Sequence, residues 1–179
     1  LLRFFASASW PRFGGARLTF SLFMLTTSIL SSWAQKGSVT GQWPSYGGDL
    51  GSTKYSSLSQ INAETLKDLK IAWEWSSPEN KRVSGSPTNP FLRTIRYEAT
   101  PLMVDGTLYT SSSHCDVIAI DCETGKTIWS YDPETWKIGR PTNLGFVHRG
   151  VAYWADGEDK RILIATGDSQ LIAVNAKTG

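Results

Sequence analysis

Few side chains in this sequence could act as nucleophiles, metal ligands or acid–base groups. It contains two histidines, His114 and His148, and two cysteines, Cys115 and Cys122. Their spacing forms none of the Cys/His patterns that bind zinc. The cysteines flank a short apolar run that, if extended, separates them by roughly 20 Å, too far for a disulfide bond. We expect two separate, buried or half-buried thiols, and histidines that are either structural or in contact with a ligand.

The elements that position these residues are indicated by an internal repeat. At a fixed offset of 54 residues, Leu108–Gly125 reappears as Ile162–Gly179. Within these segments the apolar run Val117–Ile120 falls on Leu171–Val174. A self-match at such a period is the signature of a repeat architecture.

Each copy has the pattern of strand, polar loop, strand, tight turn and a last strand that contains tryptophan. In the first copy, Thr107–Thr110 and Asp116–Ile120 are apolar and β-branched runs typical of strands. Asp121–Gly125 has the composition of a tight turn, and Lys126–Tyr131 resumes the alternation with Trp129. No helical periodicity separates the strands, so a parallel βαβ sheet is not expected. The sequence predicts an all-β fold, a β-propeller of four-stranded antiparallel blades.

About two such blades fit into 179 residues, whereas a propeller needs at least about four blades to close. The sequence starts at Leu1 rather than at a methionine, and it stops at Gly179, where the first copy continues into another strand. We therefore expect a fragment of a longer protein. Leu69–Trp75 resembles the last strand of a preceding copy.

The charge of the chain argues against nucleic-acid binding. Three of its 18 basic residues, Arg3, Arg12 and Arg17, lie in the first 34 positions, which leaves 15 basic against 16 acidic side chains. A nearly neutral remainder without a basic patch provides no electrostatic support for contact with nucleic acid.

Residues 1–34 have the composition of a secretory signal peptide. A basic start is followed by the apolar run Leu18–Leu30, and the small residues Ser32 and Ala34 occupy the two positions that a signal peptidase reads. The run has 13 residues, and a membrane anchor, the alternative interpretation, needs about 20. We expect cleavage after Ala34 and export to the periplasm, with residues 35–179 forming the N-terminal part of the propeller.

Further elements are expected between this leader and the first copy. Asn62 can cap a short helix. Ser76–Thr94 is a long polar loop, and such loops in compact folds are usually functional or disordered. Tyr97–Val104 is predicted to be a strand that opens the next blade, followed by an Asp-Gly hairpin turn at 105–106.

Three passages, at Trp43–Asn62, Tyr97–Trp129 and His148–Trp154, together resemble the pyrroloquinoline quinone (PQQ)-dependent dehydrogenases of Gram-negative bacteria. Trp43–Asn62 is similar to the family's N-terminal signature. Tyr97–Tyr109 is followed by the D-x-x-T-G-K-x-x-W pattern at Asp121–Trp129, which is similar to the tryptophan-docking motif of the family's eight-bladed propeller. His148–Trp154 (HRGVAYW) resembles the family's R-G-V/L-A-Y/L-W block. Together the passages cover nearly all of Gly41–Gly179.

The resemblance carries over two cofactor contacts, at Glu98 and Arg149. Glu98 corresponds to the family's acidic residue at the edge of the cofactor, and Arg149 to the arginine beside the quinone's carboxylate and carbonyl groups. PQQ is a planar tricarboxylate ortho-quinone, and an arginine presents a planar fork of donors suited to its oxygens. His148 is expected to contact the cofactor as well. The alternatives are a solvated charge for Glu98, a surface salt bridge for Arg149 and a structural role for His148.

One departure from the family leaves the subgroup open. Alcohol-oxidising members carry two adjacent cysteines shortly before the Arg-Gly pair, whereas this chain has Asn143–His148 there, without cysteine. His148 or Phe146 is then expected to cover the cofactor. The stretch around His114 and Trp129–Pro133 resembles the sugar- and polyol-oxidising branch. That branch, however, usually has N-terminal membrane helices, which the cleavable leader does not match.

The resemblance thus implies a periplasmic quinoprotein that oxidises an alcohol, polyol or sugar hydroxyl and passes electrons to cytochrome c or ubiquinone. It also implies Ca²⁺ as a Lewis acid and an aspartate as general base. The calcium ligands and this base are expected beyond Gly179, so no catalytic or metal-binding residue is predicted here. Two alternatives are a non-catalytic propeller scaffold of the bacterial envelope and a module that binds a quinone or sugar without turnover.

Overall fold

The computed structural model describes residues 38, 41–86, 88–89, 92, 96–142 and 144–179. The predicted signal peptide, residues 1–34, lies outside the described residues, as does Asn143. Among the helices in the described ranges, none combines the length and the apolar character that crossing a membrane requires.

Two antiparallel sheets follow one another along the chain, and in both each strand pairs with the next one. The first sheet consists of β1 (Leu102–Val104), β2 (Thr107–Ser111), β3 (Val117–Asp121) and β4 (Thr127–Tyr131). The second consists of β5 (Ala152–Asp156), β6 (Asp159–Ala165) and β7 (Leu171–Asn175). The predicted all-β fold is confirmed, with one four-stranded sheet and, within the described residues, three strands of the next.

The turn between β1 and β2 follows from its two residues. Asp105 has a φ of 48° and Gly106 a φ of 78°. Positive φ at both central positions is what a two-residue hairpin needs to match the twist of its strands. The predicted Asp-Gly hairpin turn is therefore confirmed.

The core lies between the two sheets. In β3, Val117 and Ala119 are completely buried, and they belong to one apolar cluster with Ile162 and Ile164 of β6. Each sheet thus buries a face that it could not bury alone, as expected for stacked repeat units.

Two tryptophans connect successive units through the same contact. Trp129 of β4 donates its indole N–H to the carbonyl of Ala176 at 3.1 Å. Trp73 donates its indole N–H to the carbonyl of Cys122 at 3.0 Å. Cys122 and Ala176 are equivalent positions at the repeat offset of 54. The tryptophan docking predicted from the repeat is confirmed.

Two further predicted strands, Leu69–Trp75 and Tyr97–Val104, differ from the structure. Leu69–Trp75 forms no sheet, because the described chain places no strand beside it, and it contacts the next unit through its tryptophan side chains. The strand predicted over Tyr97–Val104 begins only at Leu102. Pro101 has no N–H to donate to a ladder, and the residue before it pairs outside this sheet.

The first described segment pairs with the free edge of β1. Trp43 and Met103 exchange two backbone hydrogen bonds, with N···O distances of 2.7 and 3.0 Å. Further along, the Asn62 side chain accepts the N–H groups of Glu64 and Thr65 at 3.0 and 3.1 Å. The helix after it is only a 3₁₀ turn, Leu66–Asp68, whose N-cap residue is Thr65 and has no side-chain cap hydrogen bond. Asn62 therefore stabilises the turn that precedes this helix, and the predicted cap is wrong.

The long polar segment before β1 contains a helix that the sequence did not predict. Helix α1 (Glu79–Gly85) occupies seven residues of the loop predicted over Ser76–Thr94. Its sequence, ENKRVSG, has no apolar stripe and is too short to be stable by propensity alone. Contacts of its charged side chains with the first sheet therefore hold it in place.

Candidate functional site

Two segments that lead into the sheets meet side by side. Thr100, before β1, and Gly150, before β5, form a parallel bridge, in which Thr100 donates its N–H to the carbonyl of Arg149 at 3.1 Å. Gly150 has a φ of 127°, and a Cβ there would lie 2.9 Å from the Thr100 carbonyl oxygen. Only glycine permits this close approach. The bridge brings the predicted site residues Glu98 and Arg149 together.

Glu98 lies between two arginines. Its Oε2 is 3.4 Å from Nη2 of Arg149, and its Oε1 is 3.2 Å from Nε of Arg96. The Glu98 side chain is 24% exposed, whereas that of Arg149 is 77% exposed. A guanidinium has five N–H donors, so this single contact leaves most of the Arg149 donors accessible. The three side chains together carry a net positive charge.

His148, the third predicted site residue, forms hydrogen bonds through both ring nitrogens. Its Nε2 lies 3.0 Å from the carbonyl oxygen of Ala165, and its Nδ1 lies 2.7 Å from Oγ of Ser111. The N–H of Gly150 also donates to Nδ1, at 3.2 Å. A carbonyl only accepts, so the hydrogen is on Nε2 and Nδ1 is the acceptor. With the hydrogen on Nε2, the single lone pair of Nδ1 is shared by the Ser111 hydroxyl and the Gly150 N–H.

A second charged group surrounds the β2–β3 loop. The Asp116 side chain is completely buried and accepts hydrogen bonds from both terminal nitrogens of Arg82 in α1. Arg82 also reaches Asp132 at 2.9 Å. Glu79, at the start of α1, is buried and accepts the backbone N–H of His114 at 3.1 Å. These contacts hold α1 against the loop.

His114 is completely buried within this group. Its Nε2 lies 3.0 Å from the carbonyl oxygen of Leu92, and its Nδ1 lies 3.3 Å from Nη1 of Arg82. Because the carbonyl only accepts and the guanidinium only donates, the ring is neutral with its hydrogen on Nε2. The ring of Phe146, which is itself buried, contacts the His114 ring edge-on, with the two ring centroids 4.4 Å apart. This environment fits the structural alternative for His114.

We predict that His114 makes stability depend on pH. Burial, with a smaller effect from Arg82, lowers the pKa of His114 below its ordinary 6.5, although Glu79, the Leu92 carbonyl and Asp116 oppose the shift. The unfolded chain then binds more protons than the folded one as the pH falls below 6.5. The stability contributed by neutral His114 is present above that pH and is lost as the pH falls towards the lower, folded pKa, at up to about 1.4 kcal/mol per pH unit.

Urea unfolding at several pH values between about 7 and 5 measures this loss. In His114→Gln, whose amide can still donate to a carbonyl but does not titrate, the midpoint should fall less over the same range. Equal slopes for both proteins would contradict the prediction.

A cavity of about 460 Å³ lies beside His148. Its walls include apolar side chains, Ile138 and Leu144 among them, and the polar side chains of Arg140 and Asp168. Within the described ranges, no group of three His, Cys, Asp or Glu side chains is arranged to hold a metal ion.

Both cysteines are free thiols, as the sequence predicts. Cys115 is buried and Cys122 is half-buried. Burial, more than any opposing hydrogen bond, raises the pKa of the Cys115 thiol. A buried thiol with a raised pKa is a poor nucleophile, so Cys115 has a packing role.

Sequence reasoning missed Ser111 and the Arg82–Asp116 pair. Ser111 is fully buried, and the equivalent position in the second copy is the apolar residue Ala165. A polar residue at a position that is apolar in the other copy could have indicated a specific role for Ser111. Arg82 and Asp116 lie 34 residues apart, with no shared motif. Only the packing of α1 on the β2–β3 loop joins them.

Two stacked antiparallel sheets, repeated at a fixed offset and tied together by docking tryptophans, define the class of β-propeller proteins. Residues 43–179 match the β-propeller domain of the PQQ-dependent glucose/ethanol/alcohol dehydrogenases. The chain belongs to this family.

Its relatives include oxidoreductases for both alcohols and glucose. The chain is 39% identical to the quinohemoprotein alcohol dehydrogenase of Comamonas testosteroni over 144 residues, which cover 78% of the chain and 17% of that relative. It is 36% identical to the quinoprotein glucose dehydrogenase of Escherichia coli K12 over 151 residues, which cover 76% of the chain and 18% of that relative. The chain thus spans less than a fifth of the length of these curated relatives.

The crystal structure of the Comamonas testosteroni quinohemoprotein alcohol dehydrogenase superposes on the chain with a TM-score of 0.61 at 36% identity. The match covers 85% of this chain and 20% of that structure. Both the predicted family and the predicted propeller fold are therefore confirmed.

The side chains around Glu98 suit a polycarboxylate ligand such as PQQ. The Arg149 guanidinium is mostly exposed and Arg96 is 62% exposed, so charged donors are accessible on a net positive surface. Planar guanidinium groups match the geometry of carboxylates. The assignment of Glu98, Arg149 and His148 to the cofactor stays a prediction.

Proposed function

We propose that this chain forms part of the propeller of a longer PQQ-dependent dehydrogenase that oxidises the CH–OH group of an alcohol, polyol or sugar. The observation that carries the proposal is the Glu98–Arg149 ion pair, held where the segments before β1 and β5 meet. It occurs in a chain whose match to the dehydrogenase family extends over residues 43–179.

In this proposal Arg149 binds the anionic cofactor and Glu98 orients the arginine. Arg149 has accessible donors for carboxylate oxygens. Glu98 forms an ion pair with Arg149 through one oxygen and with Arg96 through the other, which restricts where the Arg149 side chain can lie. When bound, PQQ supplies a two-electron acceptor for oxidation of the substrate carbon. Calcium, which the family resemblance implies, would take its ligands from outside the described residues.

We further propose that the protein is exported to the periplasm and passes its electrons to cytochrome c or ubiquinone. The export proposal is supported by the composition of residues 1–34, and the acceptor by the family resemblance. The substrate class includes both alcohols and sugars, because relatives of both kinds match the chain at comparable identity.

The test uses the full-length protein, purified from the periplasmic fraction without cofactor. It is titrated with PQQ and Ca²⁺ while dye reduction is followed with a panel of alcohols and sugars. An N-terminus at Gln35 supports the signal peptide, and turnover that requires PQQ supports the dehydrogenase. Absence of PQQ binding would favour the envelope scaffold. Binding of PQQ without turnover of any substrate would favour the non-catalytic binding module.

Arg149→Ala is predicted to weaken PQQ binding at least about tenfold, because it removes a charge-assisted contact. Arg149→Lys should recover only part of the affinity, since lysine keeps the charge but lacks the planar fork. Quenching of tryptophan fluorescence by PQQ measures the dissociation constants. Arg161→Ala is the control, since Arg161 forms an exposed ion pair with Asp159 on β6, and it should bind like the unmodified protein. A PQQ dissociation constant in Arg149→Ala equal to that of the wild type would show that Arg149 does not bind PQQ.

A further inference from the structure

The ring of His148 connects equivalent positions of two successive repeat units. Ser111 is the last residue of β2 and Ala165 the last residue of β6, and they correspond at the offset of 54 residues. His148 accepts a hydrogen bond from the Ser111 hydroxyl and donates to the Ala165 carbonyl. A single imidazole thus bridges the first sheet and the second at the same strand end.

The same ring also holds the backbone next to Arg149. The N–H of Gly150 donates to Nδ1 of His148 at 3.2 Å, and the carbonyl of Arg149 accepts from Thr100 at 3.1 Å. The backbone of Arg149 is therefore held on both sides, by His148 through Gly150 and by Thr100 directly.

The Arg149 side chain itself is 77% exposed and has Glu98 as its ion-pair partner. Packing does little to hold so exposed a side chain, so the position of its backbone decides where the guanidinium can reach. Binding groups misplaced by about 1 Å can lose much of their effect. The hydrogen bonds of His148 supply this constraint on the Gly150 side of Arg149, and the Thr100 hydrogen bond supplies it at the Arg149 carbonyl.

We propose that His148 is a positioning residue that acts through Arg149, rather than a residue that contacts the cofactor. This inference rests on the proposed function, because it assumes that Arg149 binds PQQ. Both ring nitrogens are engaged within the protein, so neither is left for hydrogen bonding to a ligand. The fully buried Ser111 hydroxyl contributes to the same positioning indirectly, through its hydrogen bond to His148.

A double-mutant cycle on the full-length apo protein tests the inference, with the PQQ dissociation constant measured by fluorescence quenching. His148→Phe should weaken binding about tenfold in the unmodified protein and have almost no further effect in the Arg149→Ala background. His148→Asn, whose side-chain oxygen can accept the Gly150 N–H in place of Nδ1, should recover much of the affinity. Tyr109→Phe is the control, since it removes a different bond between the units, from the Tyr109 hydroxyl to the Ala176 carbonyl, and should not change PQQ affinity.

The outcomes separate the inference from the proposed function. A His148→Phe effect that persists in Arg149→Ala would show direct contact with PQQ and overturn the positioning role alone. Wild-type affinity in His148→Phe would overturn it as well. A full-length protein that binds no PQQ would overturn both. If His148→Phe does not fold, Ser111→Ala replaces it, with a smaller expected loss that must likewise vanish in the Arg149→Ala background.

Discussion

Arg82→Met should lower the free energy of unfolding by about 3–5 kcal/mol, the cost of leaving a buried charge without its partner. The Asp116 carboxylate is completely buried and accepts from both terminal nitrogens of Arg82. Without the guanidinium, the side-chain donor that the described residues still offer it is the hydroxyl of Ser112, at 2.5 Å. Methionine retains an apolar stem of similar length, so the loss reports on charge rather than on packing. Urea unfolding measures it.

Two further variants make this result specific. Arg161→Met breaks an exposed arginine–aspartate pair with Asp159, and because such pairs contribute little, the unfolding midpoint should change only slightly. Asp116→Asn neutralises the buried carboxylate, so Arg82→Met should be less damaging in that background. If Arg82→Met lowers the free energy of unfolding equally in the unmodified protein and in Asp116→Asn, the buried charge is not the cause.

Gly125→Ala is expected to destabilise the protein by about 2–4 kcal/mol through a backbone cost and a steric one. Gly125 has a φ of 69°, a conformation that side chains disfavour, and a Cβ there would lie 2.5 Å from the indole ring of Trp73. The ring cannot retreat without breaking its 3.0 Å hydrogen bond to the Cys122 carbonyl. The substitution therefore separates the docking tryptophan from its turn.

Other glycines in positive φ calibrate the effect. At Gly106, with a φ of 78°, a Cβ meets no atom within 4 Å, so Gly106→Ala should show the backbone cost alone, about 1–2 kcal/mol. At Gly179, the equivalent of Gly125, a Cβ would lie 3.0 Å from Trp129, and the expected cost is intermediate. The denaturant midpoint should be highest for Gly106→Ala, lower for Gly179→Ala and lowest for Gly125→Ala. A Gly125→Ala midpoint equal to that of Gly106→Ala would contradict the steric argument.

Arg82 and Gly125 both belong to the framework that supports the candidate site. Arg82 holds α1 against the β2–β3 loop, and that loop starts directly after Ser111, whose hydroxyl bonds to His148. The Trp73–Gly125 contact ties the segment before α1 to the turn after β3. The exposed ion pair of Glu98 and Arg149 therefore depends on a buried framework formed by separate parts of the chain.

Local sequence was sufficient to predict the repeat unit and how the units connect. Alternation and turn residues predicted β2, β3 and β4 to within one residue at each end. This was possible because the period-two alternation of a strand and the residue types that favour positive φ in a turn are both local features of the sequence. The repeated tryptophan and glycine positions predicted docking, since two copies of one motif repeat one contact. The motif resemblance predicted the family that the match over residues 43–179 confirms.

The assembly of the site depends on long-range contacts that the sequence does not show. Leu69–Trp75 has the composition of a strand but lies beside none in the described chain, because a ladder needs a partner that local sequence does not supply. Helix α1 lacks an apolar stripe and forms through the contacts of Glu79 and Arg82 with a loop more than 30 residues away. Likewise, no spacing rule places Ser111 on His148 or Glu98 on Arg149. These contacts join residues far apart in sequence, and they exist only once the two sheets have packed together.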